Sequence, residues 1–397
     1  MTEWLDAAEA TRLLGVSAPT LYAYVSRGIV HSQAGKPGDR HRLYAAGDVR
    51  RLLQRKEARR DPSRVLHEAL HLGAPLLDSA ITLIDDGQLF YRGVDATQLA
   101  RTASVEEVAS LIWTGETSNA EALFRGVASR IPKFPDLPLI AAMQLAIAVI
   151  GSGDPSAFDL RASAVTAHGA RILRILTAIT AGAPRTSDQG AAAQLAQRWN
   201  VPAATGIVSS ALILCADHEL NISSFTARCA ASAGSSPYQV VLAGLAAVQG
   251  VRHGGLSTRV SALFGEVGSP KKASAVIASR LQRGDPLPGF GSQLYPAGDP
   301  RGAALLEIAR RARPRARQWA LIDAIQRAAF DAIQERPTID FALVSMERIL
   351  GLPNGSALTL FALGRTIGWI GHAIEQYAIP GTIRPRARYV GRMPATT

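Results

Sequence analysis

Cysteine is almost absent, with Cys215 and Cys229 the only two in 397 residues. A disulfide scaffold is excluded, and two thiols set in apolar stretches predict buried groups in a reducing, cytoplasmic compartment. Aromatic residues make up 6% and charged residues 19%, against 47% hydrophobic. That balance is too apolar and too weakly charged for a disordered chain, and the length allows two or three domains with cores of their own. Long apolar runs are also missing: Leu139 to Ile150 and Val240 to Val251 are about 12 residues each, short of the roughly 20 that span a bilayer. The first residues, Met1 to Glu9, include Glu3, Asp6 and Glu9 and lack the basic start and apolar run of a signal peptide. No membrane partner is expected. Acid is the scarcer charge, with 32 Asp+Glu against 43 Lys+Arg and a net charge of +11. Such an excess suits nucleic acid, anionic metabolites or solubility alone.

The basic charge is uneven. Residues 1–60 hold eleven Lys+Arg against six Asp+Glu, and the proline-broken segment Arg59-Arg60-Asp61-Pro62-Ser63 marks a boundary between a module at 1–60 and a body at 64–397. In the module, Asp6 caps a helix through Ala8, Ala10, Leu13 and Leu14 that Gly15 ends. Ser17 caps a second, with Pro19 in its first turn, Leu21, Tyr24 and Val25 inward, and Gly28 as the stop. Gly35 to Gly38 form a turn, Arg40, His41 and Arg42 lead to Leu43 and Tyr44, and Asp48 caps a further helix through Val49, Leu52 and Leu53. This order resembles the winged helix-turn-helix domains of the MerR and excisionase type. If the module binds DNA, Thr20, Tyr22 and Ser26 would face the major groove while Arg27, Arg40 and Arg42 neutralise phosphates. The alternative is a helix-turn-helix kept for packing or dimer contacts, its arginines merely solvated.

The body is mainly α. Ala, Leu and Ile recur at helical spacing through Val105–Trp113, Ala192–Trp199, Ala203–Ala216 and Leu358–Ile374. One strand pair, Ile81–Ile84 with Gln88–Tyr91, flanks the turn residues Asp85, Asp86 and Gly87. Arg310, Arg311, Arg313, Arg315 and Arg317 surround Pro314 and read as a solvated helix boundary, and Gly151 to Pro155 read as a loop. His67 and His71 are four apart on a helix but lack a third ligand nearby, so no metal site is expected.

The segment Asp85 to Val94, then Ser104-Val105-Glu106-Glu107-Val108-Ala109, is similar to the opening of the bacterial citrate synthases. Further motifs follow in that family's order: Ala216-Asp217-His218-Glu219-Leu220-Asn221, Arg252-His253-Gly254-Gly255, Pro288-Gly289-Phe290-Gly291, Gly298-Asp299-Pro300-Arg301, Ile339-Asp340-Phe341, Leu363 to Trp369, and Arg384-Pro385-Arg386. The resemblance implies a two-lobed helical fold, with a large lobe at 64–224 and 336–397, a small lobe at 225–335, and closure of the cleft between them. It also implies condensation of acetyl-CoA, or a related acyl-CoA, with oxaloacetate, a step of the tricarboxylic acid cycle. No cofactor is implied, because the acyl-CoA is a substrate.

These residue types suit that chemistry. A thioester methyl is a weak carbon acid, so a carboxylate can deprotonate it only if a fixed donor holds the enolate oxygen. By resemblance Asp340 is the base and His253 the donor, although Asp340 could instead cap a helix and His253 sit at a helix end. Arg301, Arg365 and Arg384 would take the carboxylates of oxaloacetate, a task suited to guanidinium, with His218 as a further donor. The family counterpart of Arg384 crosses into the neighbouring subunit's site, which implies a homodimer.

Two departures stand out. Ser292 occupies the position where the family carries a histidine that donates to the ketone oxygen, and a serine hydroxyl is a poor general acid. His253-Gly254-Gly255 is followed by Leu256-Ser257-Thr258 in place of the usual Ala-Asn-Glu. A second function is therefore a catalytically impaired, synthase-like DNA-binding regulator that senses oxaloacetate, citrate or an acyl-CoA.

Overall fold

The protein was described from a computed structural model, which covers residues 4–34, 42–50, 52–53, 77–133 and 136–393. Two compact units emerge, Met1–Asp78 and Ser79–Thr397. The expected boundary at 60–64, the turn at Gly35 to Gly38, Arg40, and His67 with His71 lie outside the described residues.

The first unit is a winged helix-turn-helix. Helix α1, Ala7–Leu14, begins at a capping box in which Asp6 accepts from Glu9 N while the Glu9 side chain accepts from Asp6 N, and it ends on left-handed Gly15. Helix α2, Ala18–Ser26, follows. Ser17 occupies its N-cap position, but the hydroxyl meets Thr20 Oγ1 at 2.9 Å instead of a backbone N–H, so the expected side-chain cap is not made. Strands β1 (Trp4–Leu5), β2 (Ser32–Ala34) and β3 (Arg42–Ala45) form an antiparallel sheet in the order β1-β3-β2. Asp48 is no cap either. Residues 46–50 are already helical, and the Asp48 carboxylate instead accepts from His31 N at 2.8 Å and lies 2.7 Å from His31 Nδ1. Ala10, Leu14, Leu21, Val30, Tyr44 and Val49 make the core, with Tyr24 and Val25 packed against it as expected.

The second unit opens with β4 (Thr82–Asp85), β5 (Gln88–Tyr91) and β6 (Val94–Asp95), paired in that order. Asp86 and Gly87, at φ 45° and 74°, make the tight turn that the sequence predicted between β4 and β5. The rest is helical. The expected helices are Val105–Thr114, capped by a Ser104/Glu107 box, Ala191–Arg198, Thr205–Leu214 and Ser356–Tyr377. The helix Pro300–Ala312 stops before Pro314 and the next starts at Trp319, with Arg310 stacked 3.8 Å over the Trp319 ring. Gly151 and Ser152 belong to the helix Leu139–Ser152, so the expected loop starts only at Gly153. Both cysteines are free, but only Cys215 is buried; Cys229 is half-buried.

Ser356–Tyr377 is the axis of this unit. It packs against Val105–Thr114, Ala162–Thr180, Thr205–Leu214, Ile222–Ser232, Pro237–Val248 and Ile339–Leu350. At 22 residues and a mean hydropathy of 1.2 it is long and apolar enough to cross a bilayer, yet 89% of its most apolar window is buried inside the protein. Helical neighbours use that apolarity. Its glycines let them in: a methyl group at Gly368 would sit 2.3 Å from Asp217 Oδ1 and 2.6 Å from Ala216 O, and Gly368 N donates to Ala216 O at 2.9 Å. The motif around Arg365 is thus first a close-packing device, and that packing carries Arg365 to the end of Thr205–Leu214.

Candidate active site

The free carbonyls at the end of Thr205–Leu214 are taken by side chains, as a helix C-terminus requires. Tyr91 donates to Ile213 O at 3.0 Å and Asp217 O at 3.2 Å, and Arg365 Nε donates to Cys215 O at 2.8 Å. Arg365 is 1% exposed, and its Nη2 is buried with no hydrogen-bond partner among the described residues. Burial pushes its pKa down. Next in the chain, Asp217 is fully buried, accepts from Thr82 Oγ1 at 2.6 Å and lies 3.2 Å from His372 Nε2. Burial alone would oppose its charge, but His372, Arg365 and the Thr82 hydroxyl together hold the carboxyl below its usual range.

His218 follows, half-buried, with Nε2 2.9 Å from the Tyr295 hydroxyl. Burial, then the charges of Arg301 and Arg365, depress its pKa well below the usual 6.5, so the imidazole is neutral at pH 7.

Asp299 ties two helix starts together. Its carboxylate accepts from Arg301 Nε at 3.0 Å and Nη2 at 2.8 Å in a buried bidentate pair, and its Oδ2 also accepts from Ile339 N at 3.0 Å. Burial opposes the charge on Arg301, and the Asp299 carboxylate more than offsets it. Ile339–Leu350 carries Asp340 in its first turn, with Thr338 at the N-cap, so Asp340 is not the cap. Burial is the main cause that pushes the Asp340 carboxyl up to about 7; Asp299 adds to it, and Arg301 and Arg365 offset it only in part. A carboxylate with that value is poised to exchange protons near neutrality.

His253 is held by a tight loop after Pro237–Val248, where a methyl group at Gly254 would lie 2.5 Å from Val248 O. His253 Nε2 is 2.7 Å from Ser223 Oγ, which also accepts from Trp369 Nε1 at 3.2 Å, and the ring stands edge-on to Phe361. Burial and the Arg365 charge lower its pKa to about 4, which leaves a neutral imidazole.

The segment Gly289-Phe290-Gly291 runs antiparallel to Arg336-Pro337-Thr338: Gly291 N donates to Arg336 O at 3.1 Å and Thr338 N to Gly289 O at 2.9 Å. This pairing ties the segment before Ser292 to the segment that leads into Ile339–Leu350. None of the described residues bonds the Ser292 hydroxyl, and its carbonyl accepts from Tyr295 N at 3.2 Å.

Of the residues singled out from sequence, His218, His253, Asp340, Arg301 and Arg365 form one electrostatically coupled cluster. Arg384 is exposed on the C-terminal tail and makes no ion pair among the described residues. In the N-terminal unit Tyr22 is 54% exposed, Arg27 and Arg42 are exposed and Thr20 is half-buried. Ser223, Tyr295, Asp299 and the pair Asp217 with His372 had no role assigned from sequence. Asp217 and Asp299 stand within the quoted motifs beside His218 and Arg301, which was their signal; Ser223, Tyr295 and His372 carry none at the level of spacing. Among the described residues no group of three His, Cys, Asp or Glu side chains is placed to hold a metal.

The family model "Citrate synthase, C-terminal domain" matches residues 70–386. The chain belongs to the citrate synthase family. A "Helix-turn-helix domain" model matches residues 4–57. Among relatives of this citrate synthase family member, Citrate synthase 2 of Bacillus subtilis is 29% identical over 351 residues, covering 80% of this chain and 94% of its own. The 2-methylcitrate synthase of Mycobacterium tuberculosis is 30% identical over 336 residues, covering 76% and 84%. The crystal structure of citrate synthase from Pyrobaculum aerophilum superposes with a TM-score of 0.69 at 25% identity, over 83% of this chain and 93% of that one. The Thermoplasma acidophilum citrate synthase, solved in ternary complex with carboxymethyl coenzyme A and oxaloacetate, shares the fold at 24% identity and a TM-score of 0.69, over 82% and 96%.

Proposed function

We propose that the protein condenses acetyl-CoA, or a related acyl-CoA such as propionyl-CoA, with oxaloacetate, in a cleft between large and small lobes of the second unit. The observation that carries this reading is the buried Arg365 Nη2, a charged donor with no acceptor among the described residues, set in one cluster with Arg301 and a carboxylate of raised pKa. A buried, unpaired guanidinium N–H is costly unless an anion completes it, and a dicarboxylate supplies that anion. Asp340 takes a proton from the thioester methyl while neutral His253 donates to the enolate oxygen. The enolate carbon attacks the ketone carbon of oxaloacetate, whose carboxylates meet Arg301, Arg365 and, from a second copy in a homodimer, Arg384. Hydrolysis of the thioester then releases CoA, with no cofactor. Ser292 leaves the ketone oxygen with a weak donor, so turnover is slow.

Arg365→Met tests the carrying observation, since it keeps much of the packing volume but removes the free donor. Calorimetry is expected to show oxaloacetate binding weakened about 10- to 100-fold, the worth of a charged hydrogen bond. Unchanged affinity would contradict the assignment.

The N-terminal unit supports a second activity, because it folds as a helix-turn-helix with Tyr22, Arg27 and Arg42 in solvent. Binding to duplex DNA through Thr20, Tyr22, Arg27, Arg40 and Arg42 would release counterions, and three arginines give a log K against log salt slope of about −3 per unit. Fluorescence anisotropy on a labelled duplex measures it, and a slope near zero would mean the module does not read phosphate. A synthase-like body that senses its ligands for this module is the regulatory form of the same reading, and Ser292 is what favours it.

A further inference from the structure

Tyr295 is a buried acid in contact with His218 to which the proposed condensation gives no role. It is 1% exposed and lies in the same turn as Ser292, its N–H donating to Ser292 O at 3.2 Å and its carbonyl accepting from Gly298 N at 2.9 Å. Among the described residues its hydroxyl has one partner, His218 Nε2, at 2.9 Å, and the Arg301 guanidinium lies 5.8 Å from its ring centre. His218 Nδ1 has no protein partner among the described residues.

We propose that Tyr295 is a positioning residue for the condensation: its phenol donates to Nε2, fixes the His218 tautomer that carries the ring proton on Nδ1, and passes a proton through the ring to the oxygen formed from the oxaloacetate ketone. The inference rests on the condensation reading above. As the enolate carbon bonds to the ketone carbon, the carbonyl electron pair moves to oxygen, and that oxygen takes the Nδ1 proton. The phenol proton moves to Nε2; as product leaves, Nδ1 takes a proton from solvent and the Nε2 proton returns to the phenolate, so the site recovers its starting tautomer. Three features support the relay. The imidazole is neutral, so Nε2 is free to accept. Burial raises the phenol pKa and keeps it protonated in the resting site. Ser292, in the same turn, has a hydroxyl that none of the described residues bonds, so none of them resupplies it with a proton.

The test is a double-mutant cycle between Tyr295→Phe and Ser292→His on the full chain, followed by oxaloacetate-dependent thiol release. Phenylalanine keeps the ring against Arg301 and removes only the hydroxyl. In the native background kcat is expected to fall about 100-fold, with KM for oxaloacetate changed less than about threefold, because the loss falls on a proton transfer and not on binding. With an imidazole donor installed at 292, the same substitution is expected to cost at least about tenfold less. Equal losses in both backgrounds, or a loss carried by KM, would show a packing role and overturn the proposal. Native turnover that Tyr295→Phe leaves intact overturns the relay alone. Absence of native turnover with acetyl-CoA and propionyl-CoA overturns the condensation reading and the relay with it.

Discussion

Asp340→Asn is expected to lower kcat for oxaloacetate-dependent thiol release by about 10³- to 10⁴-fold, the upper range for loss of a general base. An amide keeps the shape and the helix position but cannot accept the methyl proton. In the native protein, kcat/KM should rise with pH through about 7 as the Asp340 carboxyl ionises, because its pKa is pushed up to about that value by burial and Asp299. The same shift fixes a stability effect of opposite benefit. The folded protein holds the Asp340 proton more tightly than the unfolded chain does, so its contribution to stability is full below about pH 4 and is lost as pH rises to about 7. Asp340→Asn removes that loss. Its stability advantage in urea should be near zero at pH 4 and reach up to about 4 kcal/mol at pH 8. A variant that is less active and more stable is the signature of a base strained for its task; one that is less active and less stable at pH 8 would make Asp340 a structural carboxylate.

Ser292→His is expected to raise kcat by about 10²- to 10³-fold, the worth of one oxyanion-type donor. Gly289-Phe290-Gly291 is held by two backbone hydrogen bonds to Arg336 and Thr338, so position 292 is fixed by the main chain and a new side chain there inherits a set origin. Since none of the described residues bonds the Ser292 hydroxyl, the substitution breaks no side-chain hydrogen bond among them. The gain should appear in kcat at saturating oxaloacetate. A kcat unchanged by the histidine would mean that donation at 292 does not limit the reaction.

The helical body, the hairpin at Asp86-Gly87 and the helix-turn-helix were legible because each has a local cause: 3.6-residue periodicity, two consecutive left-handed turn residues, a capping box. The grouping of His218, His253, Asp340, Arg301 and Arg365 was legible by another route, the order of short motifs, since spacing alone gives no reason to bring them together. What escaped was long-range. Ser223 reaches His253 across 30 residues and Tyr295 reaches His218 across 77, and neither serine nor tyrosine announces such a partner in its neighbours. Asp48 shows the same limit at short range: its sequence suits a cap, but His31, 17 residues earlier, claims its carboxylate and the helix starts before it. Tertiary context also decides the place of Ser356–Tyr377, which is apolar enough to span a bilayer and is buried by its neighbours instead.

The most direct measurement is release of free CoA thiol from acetyl-CoA by the full-length protein, with and without oxaloacetate, beside Asp340→Asn. Slow multiple turnover is expected, strictly dependent on oxaloacetate and abolished in Asp340→Asn. No release from acetyl-CoA or propionyl-CoA above the blank at high enzyme concentration, or release that Asp340→Asn leaves unchanged, would contradict a condensing enzyme built around that carboxylate.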